Sequence, residues 1–270
     1  MVDSNSFEQL TKLVLESSKY AHISTDLVQW LIQREMVNSK KEKKIIQRTR
    51  SKLHQVASAF QEKPIPYSKW LSELDNLPQD FSLNEVQSFC SEYMTWHSST
   101  NERLPILEEF YKIIFEKTGP VKTILDLACG LNPLAIPWMG LSKSVQYYGY
   151  DIYTDQANFI NKFFQHMKIT GHIEVTNLVS DIPAHKADIA FLLKTIPCLE
   201  QLDKSIGLRL LEGINAKTIA VSFPVASLGG KGKGMLQNYE SHFWQLISGK
   251  SWKAEKFLFP SELVFLLKKS

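Results

Sequence analysis

Up to about residue 118, apolar side chains recur three and four positions apart and do not alternate as they would on a half-buried strand. Phe7, Leu10, Leu13, Val14 and Ser17 fall on one helical face, and the pattern breaks near Lys19-Tyr20. Ser24 or Thr25 can cap a second helix that carries Leu27, Val28, Leu31 and Ile32. A third helix is predicted from about Lys40 to Phe60, with Ile45, Leu53, Val56 and Phe60 as its apolar side and Pro64 beyond its end. Pro64, Pro66 and Pro78 punctuate the next region. One helix then follows Ser82, and another runs from Thr100 to about Lys117.

After Gly119-Pro120 the texture changes. Strand-like runs at 122–127, 145–151, 171–177, 187–193, 217–222 and 262–268 alternate with helical patterns at roughly 132–139, 154–168, 199–212 and 233–248. This alternation predicts an α/β domain over 119–270, a mostly parallel sheet with helices on both faces, preceded by an all-α extension over 1–118. Trp252 to Phe259 is a further strand candidate. Paired with the last run through a short turn, it would put an antiparallel edge at the end of the sheet. By fold analogy, that ending belongs to a Rossmann-like class I methyltransferase sheet rather than to a dinucleotide-binding one.

Composition narrows this little. The chain has 270 residues, 44% of them hydrophobic, and a net charge of only +3. The distribution is more informative, because Lys40 to Lys52 holds seven basic residues and one acid and the rest of the chain sums to −3. Lys41, Lys44, Arg48 and Lys52 share one helix face, and a cluster so nearly of one sign suits contact with an RNA backbone. The three cysteines, Cys90, Cys129 and Cys198, have neither zinc spacing nor a disulfide framework, so no metal is expected and a reducing cytoplasm is the simplest setting. The N-terminus lacks the pattern of a signal peptide. No run approaches the roughly 20 apolar residues of a spanning helix, so no membrane partner is expected.

Chemistry concentrates after the first strand of the second region. Val121 to Pro133 reads as a buried strand, a tight turn at Ala128-Cys129-Gly130, and a new start at Asn132-Pro133. This is the opening unit of a nucleotide-type site, with Gly130 and Ala128 allowing close approach of backbone to ligand. Asp151 ends the next strand, where a carboxylate can take two ribose hydroxyls. Asp181, before Ile182 and Pro183, is on its own a common turn residue, but as the third acid in order it suits an adenine amino group. Lys194 ends the fourth strand and is expected to point into the crevice. The Asn- or Asp-Pro-Pro-aromatic motif of exocyclic-amine methyltransferases is absent there. That favours a ring nitrogen as the target, since it has a free lone pair and no proton to lose, and catalysis then consists mainly of positioning. Ser227 to Met235, with Lys231 and Lys233 among glycines, is a basic loop suited to phosphates. Thr100 can cap a helix that places Arg103 for a bidentate pair with a cofactor carboxylate.

These segments together resemble the aminoglycoside-resistance 16S rRNA methyltransferases of the Arm/Rmt type, which methylate guanine N7 at the ribosomal decoding site. The resemblance spans nearly the whole chain. It rests on Ser17 to Tyr20, Lys52 to Gln55, His97 to Arg103, Leu125 to Pro133, Leu192 to Lys194, Ser222 to Pro224, Ser227 to Met235 with Asn238-Tyr239, and Glu262-Leu263. Leu236-Gln237 and Pro260 depart from the family's usual residues. The resemblance implies S-adenosyl-L-methionine as cofactor and 16S rRNA within the 30S subunit as partner, with residues 1–118 docking on that subunit. It implies that Arg103, Gly130, Asp151, Asp181 and Ile182 line the cofactor pocket, and His97, Asp126, Ala128, Ile152 and Leu192 are added from the same motifs. Lys194, Ser222, Phe223 and Pro224 would position the base, while Lys41, Lys44, Arg48, Lys52, Lys231 and Lys233 would meet RNA. A cytoplasmic monomer is the starting expectation. Two alternatives stay open: an adenine-N1 methyltransferase of the same decoding region, and a ribosome-binding protein without catalysis.

Overall fold

A computed structural model describes residues 4–57, 60–61, 64–142, 144–225 and 234–269. Seven strands form one sheet in the order β3-β2-β1-β4-β5-β7-β6. They are β1 (Thr123–Leu127), β2 (Gln146–Asp151), β3 (Thr170–Val175), β4 (Ala187–Leu193), β5 (Ala216–Pro224), β6 (Lys253–Leu258) and β7 (Glu262–Lys268). The first five pair in parallel, whereas β7 runs antiparallel to both β5 and β6. The antiparallel ending expected from sequence is therefore present, with β7 inserted between β5 and the edge strand β6.

Alternate residues of the central strands build two cores. Leu125, Leu127, Ala190, Leu192, Ile219, Val221 and Phe265 face one side, and Ile124, Ile189, Phe191, Leu193, Ala220 and Val264 face the other. Successive side chains point to opposite faces of a strand, and both faces are covered, so β4, β5 and β7 read as almost continuous apolar runs.

The helices before the sheet divide between its two faces. Helices α1 (Ser4–Leu15), α2 (Thr25–Asn38) and α3 (Glu42–Val56) join the first core. Helices α4 (Tyr67–Leu74), α5 (Asn84–Met94) and α7 (Leu107–Thr118) join the second, together with α8 (Thr154–Met167). The core is thus continuous across residues 118 and 119.

Local chemistry explains where elements differ from the sequence reading. Ser24 caps α2 as expected, its Oγ accepting from the Leu27 N–H at 3.4 Å. The single helix expected from Thr100 to Lys117 is divided into α6 (Ser98–Arg103), a 3-10 turn at Leu104–Ile106 and α7, with Pro105 at the break. The segment expected as a helix at 132–139 is a 3-10 helix, Asn132–Trp138, because Pro137 removes an interior donor. The region expected to be only punctuated by proline holds α4. It starts directly after Pro66 and buries Tyr67, Trp70 and Leu74 at helical spacing. On the far side of the sheet chemistry, α9 (Thr195–Leu199) and α10 (Ile206–Gly213) replace one helix expected at 199–212, and α11 (Met235–Leu246) precedes β6.

Candidate functional site

The loops leaving β1, β2, β3 and β4 line a cavity. Its position, beyond the carboxyl ends of parallel strands where strand order reverses between β1 and β4, is where open α/β sheets bind ligands. Leu27 of α2, Val56 of α3, and Ala57 and Phe60 beyond the end of α3 also line the cavity; the helix expected to reach Phe60 ends at Val56. The turn before α2 is tied to the end of β2, with Ser24 N–H donating to the Ile152 carbonyl at 2.7 Å and Thr154 N–H to the His22 carbonyl at 2.8 Å.

The β1 turn holds the acids of the site. Ala128 and Gly130 have φ of 55° and 52°, which reverses the chain so that the Gly130 N–H donates to Asp151 Oδ2 at 2.8 Å. Asp151 Oδ1 accepts from the Ile152 N–H at 2.7 Å. These two bonds orient the carboxylate in the cavity wall, and the Gln156 side chain and the Tyr153 N–H support its charge as well. Burial raises its pKa, against the bonds from Gly130 and Ile152. The glycine serves a different contact from the one expected: a Cβ on Gly130 would lie 2.8 Å from the His97 ring, so the space is filled by protein.

Beneath the turn lies a buried relay. Asp126 Oδ2 accepts from Tyr147 Oη at 2.5 Å and from Asn132 Nδ2 at 2.8 Å. Asn132 Oδ1 accepts from Tyr111 Oη at 2.6 Å and from Arg103 Nη1 at 2.9 Å. Arg103 Nε faces Glu262 Oε1 at 2.7 Å, and both side chains are almost wholly buried. Burial opposes the Arg103 charge, but Glu262 and Tyr111 outweigh it and hold its pKa above the ordinary value. Burial pushes Asp126 up to about 6, against its bonds from Tyr147 and Asn132. Burial, aided by Arg103 and Lys194, holds His97 down to about 3, so its imidazole is neutral. Its ring stacks on Phe60 at 5.5 Å.

Of the expected cofactor residues, His97, Arg103, Asp126, Ala128, Asp151 and Ile152 line the cavity. Gly130 contributes through its bond to Asp151. Leu192 is fully buried in the first core, because alternation turns Leu193 to the cavity in its place. Asp181 is exposed and Ile182 packs against Gly213, so neither is in the wall. Thr176, Asn177, Leu178 and Val179 stand there instead. They follow directly on the end of β3, which is the signal a sequence reading can use, whereas searching for an acid led four residues too far.

The residues expected to face a base are also placed differently. Lys194, with φ of 59°, lines the cavity but is buried between Glu102 and Glu262, its Nζ 3.6 Å from the latter. Ser222 is buried, its Oγ accepting the Lys194 N–H at 3.0 Å. Phe223 is buried against Tyr239 at 5.2 Å. Only Pro224 of this group is partly exposed. Their common cause is β5, a central strand covered on both faces. Of the basic face, Lys41 and Lys44 are exposed, Arg48 lies 3.5 Å from Glu35, and Lys52 Nζ donates to the Gln201 carbonyl at 3.1 Å. Lys231 and Lys233 lie outside the described residues.

The cavity fits a nucleoside sulfonium such as S-adenosyl-L-methionine. Beside the oriented Asp151, its lining residues include three buried atoms with no hydrogen-bond partner, Nδ1 of His97, Nε2 of Gln156 and Nδ2 of Asn177, and such atoms in a native wall call for a ligand or water. Among the described residues, no group of His, Cys, Asp and Glu is arranged to hold a metal ion, and no helix is long and apolar enough to cross a membrane.

A family model described as ribosomal RNA methyltransferase (FmrO) matches residues 16–266. A 16S rRNA (guanine(1405)-N(7))-methyltransferase of Micromonospora rosea is 33% identical over 264 residues, spanning 97% of this chain and 96% of its own. One of the same name from Serratia marcescens is 31% identical over 257 residues, spanning 95% and 96%. Among solved structures, the 16S rRNA methyltransferase RmtF in complex with S-adenosyl-L-homocysteine superposes with a TM-score of 0.85 at 26% identity, covering 100% of both chains.

Proposed function

The chain belongs to the ribosomal RNA methyltransferase (FmrO) family, and from that premise we propose that it methylates guanine N7 at the decoding site of 16S rRNA in assembled 30S subunits. The cofactor is S-adenosyl-L-methionine, in keeping with the S-adenosyl-L-homocysteine bound to the structural relative. The observation that carries the reading is the carboxylate of Asp151, held by the N–H groups of Gly130 and Ile152 in the wall of the switch-point cavity. The shared name of the relatives favours guanine N7 over adenine N1.

When bound, the cofactor supplies a methyl group on a sulfonium; the N7 lone pair takes the methyl, sulfur keeps the electrons of the broken bond, and the guanine becomes cationic. No proton moves, so the chain needs no general base, which agrees with a His97 whose lowered pKa makes it a poor proton acceptor and with an ion-paired Lys194. Asp151 binds the ribose hydroxyls. Arg103 holds the carboxylate of the amino-acid end, its position set by Glu262 and Asn132. Leu27, Val56 and Phe60 exclude water from the cofactor, so residues 1–118 close the pocket as well as dock on the subunit. The exposed Lys41 and Lys44 contact phosphates, and Lys231 and Lys233 add basic groups for the RNA. The protein acts as a cytoplasmic monomer. A cationic guanine repels polycationic aminoglycosides and removes an acceptor, so the product confers resistance.

The test is incubation of 30S subunits with the protein and S-adenosyl-L-methionine, followed by mass spectrometry of 16S rRNA digests. A gain of one methyl on a guanine in the decoding region is expected. Methylation at adenine, or none at all, would refute the assignment, and equal methylation of protein-free rRNA would refute the docking role.

A further inference from the structure

Gln156, near the start of α8, is fully buried and lines the cavity beside Asp151. Both lone pairs of its amide oxygen are engaged. Oε1 accepts from Gln61 Nε2 at 3.2 Å and from Tyr67 Oη at 3.4 Å. Burial, with Asp155 and Asp151 nearby, pushes the Tyr67 pKa up, so the hydroxyl keeps the proton it donates. Tyr67 opens α4, and its ring is held by Trp70 at 5.2 Å and by Phe159 of α8 at 5.4 Å. The nitrogen is the end left over, and Nε2 is buried without a hydrogen-bond partner.

The neighbouring acid decides which end of the amide it meets. The Gln156 side chain favours the charged form of Asp151. An ionised carboxylate only accepts, so that effect comes from the N–H end. A turned-over amide would set its oxygen against the carboxylate, two acceptors with no donor between them. Hydrogen bonds at such sites are often long until a ligand is held. We infer that Gln156 is a positioning residue: its Nε2–H group fixes the Asp151 carboxylate for the ribose hydroxyls of the cofactor, and Gln61 and Tyr67, from the region before the sheet, fix the amide. The inference rests on the methyl-donor reading above. It gives that region a hold on cofactor affinity through hydrogen bonds, separate from the apolar lining by Leu27 and Val56.

Two substitutions isolate the relay. Gln156→Met keeps an unbranched side chain of similar length and removes the amide, whereas Tyr67→Phe removes only the hydroxyl and keeps the ring. The first readout is the titration of the Asp151 carboxyl by carbon NMR in aspartate-labelled protein, the signal being identified by its loss in Asp151→Asn. Tyr67, Asp126, Cys129, Tyr153 and Cys198 also act electrostatically with Asp151, and all of them are retained in Gln156→Met. The midpoint should move up in Gln156→Met, because the charged form loses a donor. The second readout is calorimetric titration with S-adenosyl-L-homocysteine, with melting temperatures checked without ligand. Binding should weaken about tenfold in Gln156→Met and about threefold in Tyr67→Phe, and Tyr67→Phe should cost nothing further when added to Gln156→Met. An unmoved midpoint overturns the inference, since Gln156 would then not act through Asp151. Unchanged affinity in Gln156→Met overturns it as well, as does a Tyr67→Phe loss that persists in full in the double variant. If Gln156→Met is unfolded, Tyr67→Phe carries the test, and unchanged affinity there overturns the inference. No binding by the unsubstituted protein overturns the methyl-donor reading and this assignment together.

Discussion

Replacing Asp126 by Asn should remove a pH dependence of stability that the structure makes specific. Asp126 is 1% exposed and carries its two bonds, from Tyr147 and Asn132, on one oxygen. Burial raises its pKa from 3.8 to about 6 in the folded chain. Between those values the native state holds a proton that the unfolded chain has released, so stability falls as pH rises through the interval and levels off above it. A carboxyl with those two pKa values changes stability by about 3 kcal/mol across the window. Asparagine cannot titrate, yet its amide oxygen can accept both bonds, so the packing is retained. The assay is urea unfolding of both proteins from pH 4 to pH 8. The stability of Asp126→Asn relative to the unsubstituted protein should rise by about 3 kcal/mol between roughly pH 4 and pH 6 and stay constant above. A difference that is flat across that range would show that Asp126 titrates normally in the fold and that its burial is not the dominant effect.

Other perturbations reach separate parts of the molecule. Asp151→Ala should abolish S-adenosyl-L-homocysteine binding in calorimetry and aminoglycoside resistance in a susceptible bacterium, while the fold is kept by circular dichroism. Gly130→Ala combines a φ of 52° with a Cβ 2.8 Å from His97, so thermal unfolding should show destabilisation of about 1–3 kcal/mol. Glu262→Gln leaves Arg103 and Lys194 buried without their shared carboxylate, and chemical unfolding should register a loss of about 3–5 kcal/mol. Lys41→Glu with Lys44→Glu should weaken binding to 30S subunits and flatten its salt dependence while leaving cofactor affinity intact; an equal loss in cofactor affinity would contradict separate roles for the helix face and the cavity.

Much was legible along the chain because it depends on local order. Apolar periodicity located the seven strands to within about two residues, and the start of α2 was readable as a cap at Ser24 or Thr25, since a strand covered on both faces and a capped amphipathic helix leave direct marks in sequence. The turn at Ala128 to Gly130 and the acid ending β2 were readable for the same reason: the loop after a strand is a few residues long, so its chemistry stays adjacent in number. What required the tertiary structure was every contact between segments distant in sequence. Asp181 looked like the base-reading acid, but the chain turns at Asn177 and carries it to the surface. Phe223 and Ser222 looked like substrate contacts, but β7 and α11 cover β5 and bury them. Lys194 looked like a free cation, until α6 and β7 brought Glu102 and Glu262 to it. The wall made by Leu27, Val56 and Phe60 has no local signal, because Leu27 and Val56 satisfy their own helices' periodicity equally well in a separate domain and Phe60 lies beyond the end of α3. The sequence by itself determined the strands, the α2 and α8 helices and where a nucleotide-type turn lies. Only the packing of the N-terminal helices on both faces of the sheet decided which polar groups are paired and which are left facing a ligand, since pairing depends on distances that chain order does not encode.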